Sequence, residues 1–350
     1  MALPLSVLSP VSPILSGMAI GAIQDLKGLV FPRLPSVSVA PQAYKGQIFA
    51  ESSQSFMGDS RSLKTALSQQ YPTRTMGNPS ITQYVCQEYK IAGNLIPTKL
   101  SERSQFPTPL EVRDALQLAC ALAIDVEKEA AAAIFNTSNW GHTDLVSLGG
   151  GGVQWTTWAT AKPDNDLQKL KVAAREAAYG RNPNTLIMGQ SCLDNYVLCL
   201  QAQGVALVTS GAAPGQVITE EFAIERIKRI FGFEQVLIGS IRSQTSAPGA
   251  SATSDYVWGD YLWAGLLDNA GNMVDGNNVY MRPNAVLLVK EQGDAAGMGV
   301  DVSGATLPVA ITQSPVIPPN GDGIIVAGRA YVAFANPESN LGYLVTDVLA

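Results

Sequence analysis

Residues 26–38, reading LKGLVFPRLPSVS, are a Pro-punctuated apolar segment with too little material to fold alone. Pro32 and Pro35 push the residues before them out of helical backbone, so the segment is extended. A loop-and-strand region follows to Leu95, and then one long, capped helix over residues 109–135. An apolar arm without a core of its own needs a surface to lie on. The expectation is a chain that interlocks with copies of itself, each arm on a neighbour, rather than one that turns over a substrate.

At 350 residues the chain has material for two domains or one elaborated domain. Charged residues are only 15% and apolar residues 46%, so much of the surface is expected to be covered, most simply by other subunits. The balance is acidic, with 23 Lys+Arg against 29 Asp+Glu. The densest basic cluster is Arg226, Lys228 and Arg229, far short of the concentrated positive face that tight nucleic-acid binding requires. If the chain meets nucleic acid, it encloses it and does not grip it.

Cys86, Cys120, Cys192 and Cys199 are scattered through apolar surroundings without a CxxC pair. Cys192 and Cys199 fall on one helical face as small core residues, so neither a zinc site nor a disulfide framework is expected, and a reducing cytosol fits. The start, MALPLSVLSP, lacks a basic segment and has Pro inside its apolar run, which argues against a signal peptide. The longest apolar stretch, 115–124, is interrupted by Gln117 and is about half a membrane span, so no membrane partner is expected.

Along the chain, a short helical pattern (Ile14, Met18, Ile23, Leu26, Leu29) precedes the extended arm. Strands are expected at 45–50 and 83–91, flanking a polar stretch of roughly thirty residues. That length suggests a two-stranded finger lying on a neighbouring subunit. Thr108 as cap, Pro109 at the first helical position and Glu111 closing the capping box start the long helix. It runs about 27 residues, or roughly 40 Å. Its stripe of Val112, Leu116, Ala119, Leu122, Ala123, Val126 and Ala130 packs on a sheet, leaving Glu111, Asp114, Asp125, Lys128 and Glu129 outside.

Beyond a glycine joint at 149–152 comes an α/β alternation. Helices are expected at 166–179, 191–203 and 219–231, the last capped by Thr219 and stopped by Gly232, with strands at 185–188 and 235–238. Residues 256–267 and 279–290 read as a hairpin pair across a turn-rich segment. A Gly/Ala-rich stretch, 291–305, precedes the last strands, 323–335 and 341–349.

No catalytic, cofactor-binding or metal site is expected. The single histidine, His142, sits in a Gly/Asn-rich turn, whereas triads and metal sites depend on His. Gly189-Gln190-Ser191-Cys192-Leu193 lies between strand and helix, where a nucleophile elbow belongs. Its fifth residue is Leu rather than Gly, and His142 precedes the serine. Ser191 reads instead as a helix cap, leaving a soluble serine hydrolase as a remote alternative. Asp164 and Asp166 either pair as carboxylates or mark a helix start. Residues 268–278 are rich in oxygen ligands but lack the calcium-loop spacing, and 320–323 reads as a turn. No phosphate-cradling glycine motif is present in the sequence.

Taken in order, LVFPRLPSVSV, YVCQEYKIAGNLIP, TPLEVRDALQLACALAIDVEKEAAAAIFN, Trp140, Trp155, Trp158, DLQKLKVAAREAAYGRNPNTLIMGQSCLDN, ITEEFAIERIKRIFGFEQVLIGSI and the strand around Trp258 and Tyr261 resemble the major capsid protein of tailed bacteriophages. Encapsulins share that fold. The resemblance implies an α+β fold in four parts: an N-terminal arm (1–43), an extended finger loop (44–95), a peripheral domain with the long spine helix (96–160 and 309–350), and an α/β axial domain (161–308). It also implies self-assembly into pentamers and hexamers of an icosahedral shell around double-stranded DNA, in the virion, after assembly in the host cytoplasm. A portal, and scaffolding or cement proteins, are the implied partners. The arm begins near Met1, so scaffolding is expected to be separate or unnecessary. Lys64 is the sole lysine well inside the finger and has no visible partner motif, so locking between subunits is expected to be non-covalent.

Overall fold

The computed structural model describes residues 12–39, 45–50, 80–93, 95–97, 109–145, 153–204, 218–246, 251, 253–268, 272–291, 307, 309–316 and 323–349. The arm forms helix α1 (Pro13–Asp25), a 3-10 turn at Phe31–Arg33 and strand β1 (Ser36–Val39). Strands β2 (Lys45–Ala50), β3 (Ser80–Val85), β4 (Gln87–Ala92) and β5 (Ile96–Pro97) precede the spine helix α2 (Leu110–Ile134). After β6 (Thr143–Leu145) come α3 (Pro163–Ala177), β7 (Thr185–Gly189), α4 (Gln190–Ala202), α5 (Glu220–Phe231) and β8 (Gln235–Gly239). Short strands β9 (Arg242–Gln244), β10 (Ser254–Tyr256), β11 (Leu262–Gly265), β12 (Met273–Asp275) and β13 (Asn278–Met281) follow. The last four are β14 (Leu287–Glu291), β15 (Ala310–Val316), β16 (Gly323–Ala335) and β17 (Gly342–Thr346).

Strand β16 organises the largest sheet. One of its edges pairs with β15 and β14 end to end, and β1 adds in parallel beyond β14 (Ser36 opposite Leu288). The other edge carries β4 and β5. The spine helix buries Ala115, Leu118, Ala119, Leu122, Ala123, Val126, Ala130 and Ile134 in the core it shares with this sheet. Leu118 takes the place expected for Leu116, and Val112 and Leu116 are only half-buried. Pro109 is the cap residue rather than the first helical one, its carbonyl accepting from the Arg113 N–H at 3.1 Å. Thr108 lies outside the described residues.

A five-stranded sheet runs β6-β17-β11-β7-β8 and forms a second core with α3, α4 and α5. Here local signals succeed. Thr219 Oγ1 accepts from the Phe222 N–H at 3.3 Å, and Gly232 ends α5 in left-handed backbone, φ +66°. Helix α4 differs: it begins at Gln190 behind Gly189, so Ser191 stands in its first turn rather than at its cap.

A third, four-stranded sheet runs β12-β13-β2-β3. Strands β2 and β3 pair antiparallel from Lys45 opposite Val85 to Ala50 opposite Ser80, which forms the root of the expected finger. The chain then changes sheet at Cys86, so the strand expected over 83–91 is two strands in two sheets. Gly46 in β2 lets the turn at Asn277 approach closely, because a Cβ there would stand 1.7 Å from the Asn277 carbonyl oxygen. The hairpin expected between 256–267 and 279–290 does not form. Residues 262–265 join the five-stranded sheet, 278–281 the four-stranded sheet and 287–291 the largest one. The turn-rich segment instead closes the small hairpin β12–β13.

The arm lies on its own chain throughout 12–39, which corrects the expectation that it needs a neighbour. Leu15, Ala19 and Ile23 pack into the spine-helix core. The Ser12 N–H donates to the Ile311 carbonyl at 2.7 Å, and Ser16 Oγ accepts from the Ile311 N–H at 2.9 Å. The finger beyond its root with Lys64, the glycine-rich joints at 149–152 and 297–299, and residues 320–322 lie outside the described residues.

Candidate assembly interface

Arm, spine and the α/β unit meet at one carboxylate. Glu127 is fully buried on the inner face of α2. Its Oε1 accepts from the Val30 N–H at 2.7 Å and from Trp258 Nε1–H at 2.5 Å, and its Oε2 accepts from the Phe31 N–H at 3.1 Å. Burial pushes its pKa up, and the three donors pull it partly back. Each hydrogen bond to a charged acceptor contributes roughly 1.5–3 kcal/mol, enough to offset much of the desolvation. The donors come from 97 and 96 residues before it and 131 after, so this one side chain joins three distant parts of the chain. Charge alone hides it in the run VEKEAAAA, but spacing exposes it: Glu127 falls four residues after buried Ala123 and three before buried Ala130.

The uncovered apolar surface is concentrated on secondary structure. On α1, Ile14 (74% exposed) and Met18 point away from the core, with Gly17 between them. The four-stranded sheet carries one apolar residue per strand in register on its outer face: Met273, Tyr280, Phe49 and Ile81. Met273 is 70% and Ile81 57% exposed, while Phe49 and Tyr280 stack with ring centroids 5.0 Å apart. Val85 continues this face and also lines a cavity of about 310 Å³ against Phe334, Ala132 and Ala133 at the end of α2, and Asn136 beyond it. The inner face of the same sheet buries Ile48, Ala50, Tyr84, Val279 and Met281. The next row on the same outer face, Asp275, Asn278, Gln47 and Gln83, is polar, so that face is apolar along one row while the inner face is buried.

The residues that chemistry could have used are dispersed into packing. Ser191 is half-buried, its carbonyl accepting from Asn195 Nδ2 at 2.9 Å. His142 is exposed, its ring stacked on Tyr343 at 6.3 Å. Asp164 and Asp166 sit in the first turn of α3 and take separate partners. Asp164 accepts from Arg226 at 2.6 Å and from the Tyr196 hydroxyl at 2.8 Å, and Asp166 accepts from Trp155 Nε1–H at 3.0 Å. Arg226 thereby leaves the basic cluster with Lys228 and Arg229, which instead lie near Glu225 on α5. Cys192 and Cys199 are core residues of the α/β unit, as their spacing implied. Burial raises the Cys86 thiol to about 12 and the Cys199 thiol to about 11, and it raises the Cys192 and Cys120 thiols as well. Among the described residues no group of three or more His, Cys, Asp or Glu could hold a metal ion, and no helix is long and apolar enough to cross a membrane.

Neither a family model nor a curated protein matches the sequence. Solved structures do match the fold. A phage-related protein from Bordetella bronchiseptica RB50 superposes with a TM-score of 0.63 at 19% identity, over 97% of this chain and 98% of its own. The capsid of the cyanophage P-SCSP1u gives 0.51 at 12% identity, over 91% and 87%. A virus-like particle from Pyrococcus furiosus gives 0.51 at 10% identity, over 95% and 97%. The chain has the α+β fold of phage capsid proteins.

Proposed function

We propose that the chain is a structural shell protein whose copies form the icosahedral capsid, in pentamers and hexamers, around the double-stranded DNA of a tailed phage. The observation that carries this reading is the fold match over nearly the full length of the chain. The proposed division is arm 1–43, finger 44–95, peripheral domain 96–160 with 309–350, and axial domain 161–308. The copies interlock without catalysing a reaction. A chain of net charge −6 gives packaged DNA a wall it slides along rather than one that pins it. The proposed location is the virion, after assembly in the host cytoplasm, with a portal and with scaffolding or cement proteins as further partners.

A second reading, an encapsulin-type compartment around a protein cargo, draws on the match to the Pyrococcus virus-like particle. Electron microscopy and sedimentation of the purified chain test both. Closed particles of many copies are expected. Particles that package protein cargo and never DNA during infection favour the compartment, and a compact monomer at all concentrations rejects both.

A further inference from the structure

We propose that two copies of the chain pair antiparallel through the outer face of helix α5, in a symmetric contact made by free subunits. This does not rest on the shell reading, which leaves open how free subunits meet.

Helix α5 carries two rows with apolar surface, and the core uses one. Ala223, Ile227 and Phe231 are buried. Phe222, Arg226 and Ile230 each stand one position earlier, so they form a second row about 100° round the helix. This row lines a groove of about 400 Å³. Ile230 is 51% exposed and Phe222 is half-buried. The charge of Arg226 is already met, because its guanidinium donates to Asp164 at 2.6 Å, so what it lends to the groove is its stem. Neither the cap at Thr219 nor the core row requires an apolar residue at Ile230. A third row, Glu221, Glu225 and Arg229, borders the groove and is exposed. An apolar centre with a charged rim is the usual anatomy of a protein interface.

These rows complement themselves in one alignment. Two α5 helices laid antiparallel about Arg226 put Phe222 of each over Ile230 of the other. In the bordering row, Arg229 of one copy then falls between Glu221 and Glu225 of the other, about 3 Å along the axis from each at 1.5 Å per residue. Within one chain Glu225 makes long, exposed contacts, 3.6 Å to Lys228 and 3.9 Å to Arg229, which leave these groups available to a second copy. A parallel alignment would instead level the acidic ends, Glu220 and Glu221, with each other, and the basic ends, Lys228 and Arg229, with each other. The charges therefore select the antiparallel pair, which is isologous and closes at two copies. One helix on one helix buries less than the roughly 1,200–2,000 Å² of a stable interface, so the pairing is reversible and depends on concentration.

The test is sedimentation equilibrium of the full chain in the particle-free fraction. Wild type is expected to show a monomer–dimer equilibrium. Arg229→Glu makes the bordering row all acidic, and Glu221→Lys with Glu225→Lys makes it all basic. Each variant alone is expected to weaken the dimer at least tenfold, through like charges brought together. An equimolar mixture of the two is expected to restore it, since each row then faces its opposite. All three side chains are exposed, and mixing rescues a lost contact but not a lost fold. A mixture no better than its components overturns the proposal. So do variants that dimerise like wild type, or a wild type that is monomeric at every concentration, whatever else lies over the groove. As a second arm, oxidised Glu225→Cys is expected to give one dimer band on a non-reducing gel and nothing higher, because the two copies of this position flank the twofold axis. Native Cys86, Cys192 and Cys199 are buried, and wild type controls for Cys120. A ladder of higher species would mean head-to-tail contact and would overturn the proposal. Loss of the dimer leaves the shell reading intact, and absence of particles leaves the pairing intact.

Discussion

The arm–spine junction and the finger-root sheet are made from similar residues and end in opposite conditions. Around Glu127 the arm, α2 and Trp258 close on one another, and Phe31, Trp258 and Ile134 are all fully buried. In the four-stranded sheet one face joins the core and the other keeps Met273, Tyr280 and Ile81 exposed beside half-buried Phe49. Apolar content alone therefore does not say which surfaces a subunit reserves for itself. What separates them is polar satisfaction: the junction gives each Glu127 oxygen a donor, so it is complete without a partner. The sheet's outer face has no such closure.

The largest effect expected from breaking this comparison is at the closed end. Glu127→Ala strands three donors in the interior and should cost about 3–5 kcal/mol of subunit stability, read as a lowered denaturation midpoint. A loss below about 1 kcal/mol would show that the junction is not what holds the arm. Trp258→Phe tests the same point more gently. It deletes one donor while keeping a ring near Phe135, whose centroid lies 5.0 Å away edge to face, and should cost about 1–3 kcal/mol. A variant as stable as wild type would remove Trp258 from the junction.

A pH series sharpens the comparison further. The folded-state pKa of Glu127 lies above its unfolded value because burial opposes ionisation. Between the two values the folded chain binds more protons than the unfolded one, so this group's contribution is present at low pH and is lost as pH rises through that window. Half-buried Asp166 acts in the same direction, so the wild-type profile alone does not isolate Glu127. The difference between wild type and Glu127→Gln does. Their stability gap should change as pH rises above the ordinary carboxylate range; a gap flat from pH 4 to 8 would mean the carboxyl is not titrating there.

What the sequence revealed depended on how local the deciding interaction is. The α5 boundaries follow from Thr219 and Gly232, and the α4 cysteines from their seven-residue spacing, because neighbours in sequence settle both. The long helix was legible for the same reason, apart from its cap. Partner choice was not legible. Residues 262–265 and 287–291 look like two halves of a hairpin, yet each pairs with strands far away in the chain. The split at Cys86 is set by partners far off in the chain, β2 for one half and β16 for the other. The arm's apolar character was visible, but the donors that bind it to Glu127 are backbone N–H groups, which every residue but Pro carries.

The smallest stability change is expected at the open end, and there the comparison is decided. Met273 sits at the edge of the row, exposed, with its neighbour Tyr280 across the β12–β13 ladder. Met273→Gln removes apolar surface without leaving a cavity or a stranded polar group. The isolated subunit should therefore stay within about 0.5 kcal/mol of wild type in denaturant, as surface substitutions do. Assembly should suffer instead, because the face stays apolar only if something in the particle covers it. Measured on one preparation, an unchanged unfolding midpoint with a raised concentration threshold for particles would mark this face as belonging to the assembly. A midpoint that falls as far as at Glu127→Ala would mean the subunit already covers the face by itself, and the distinction between the two regions would collapse.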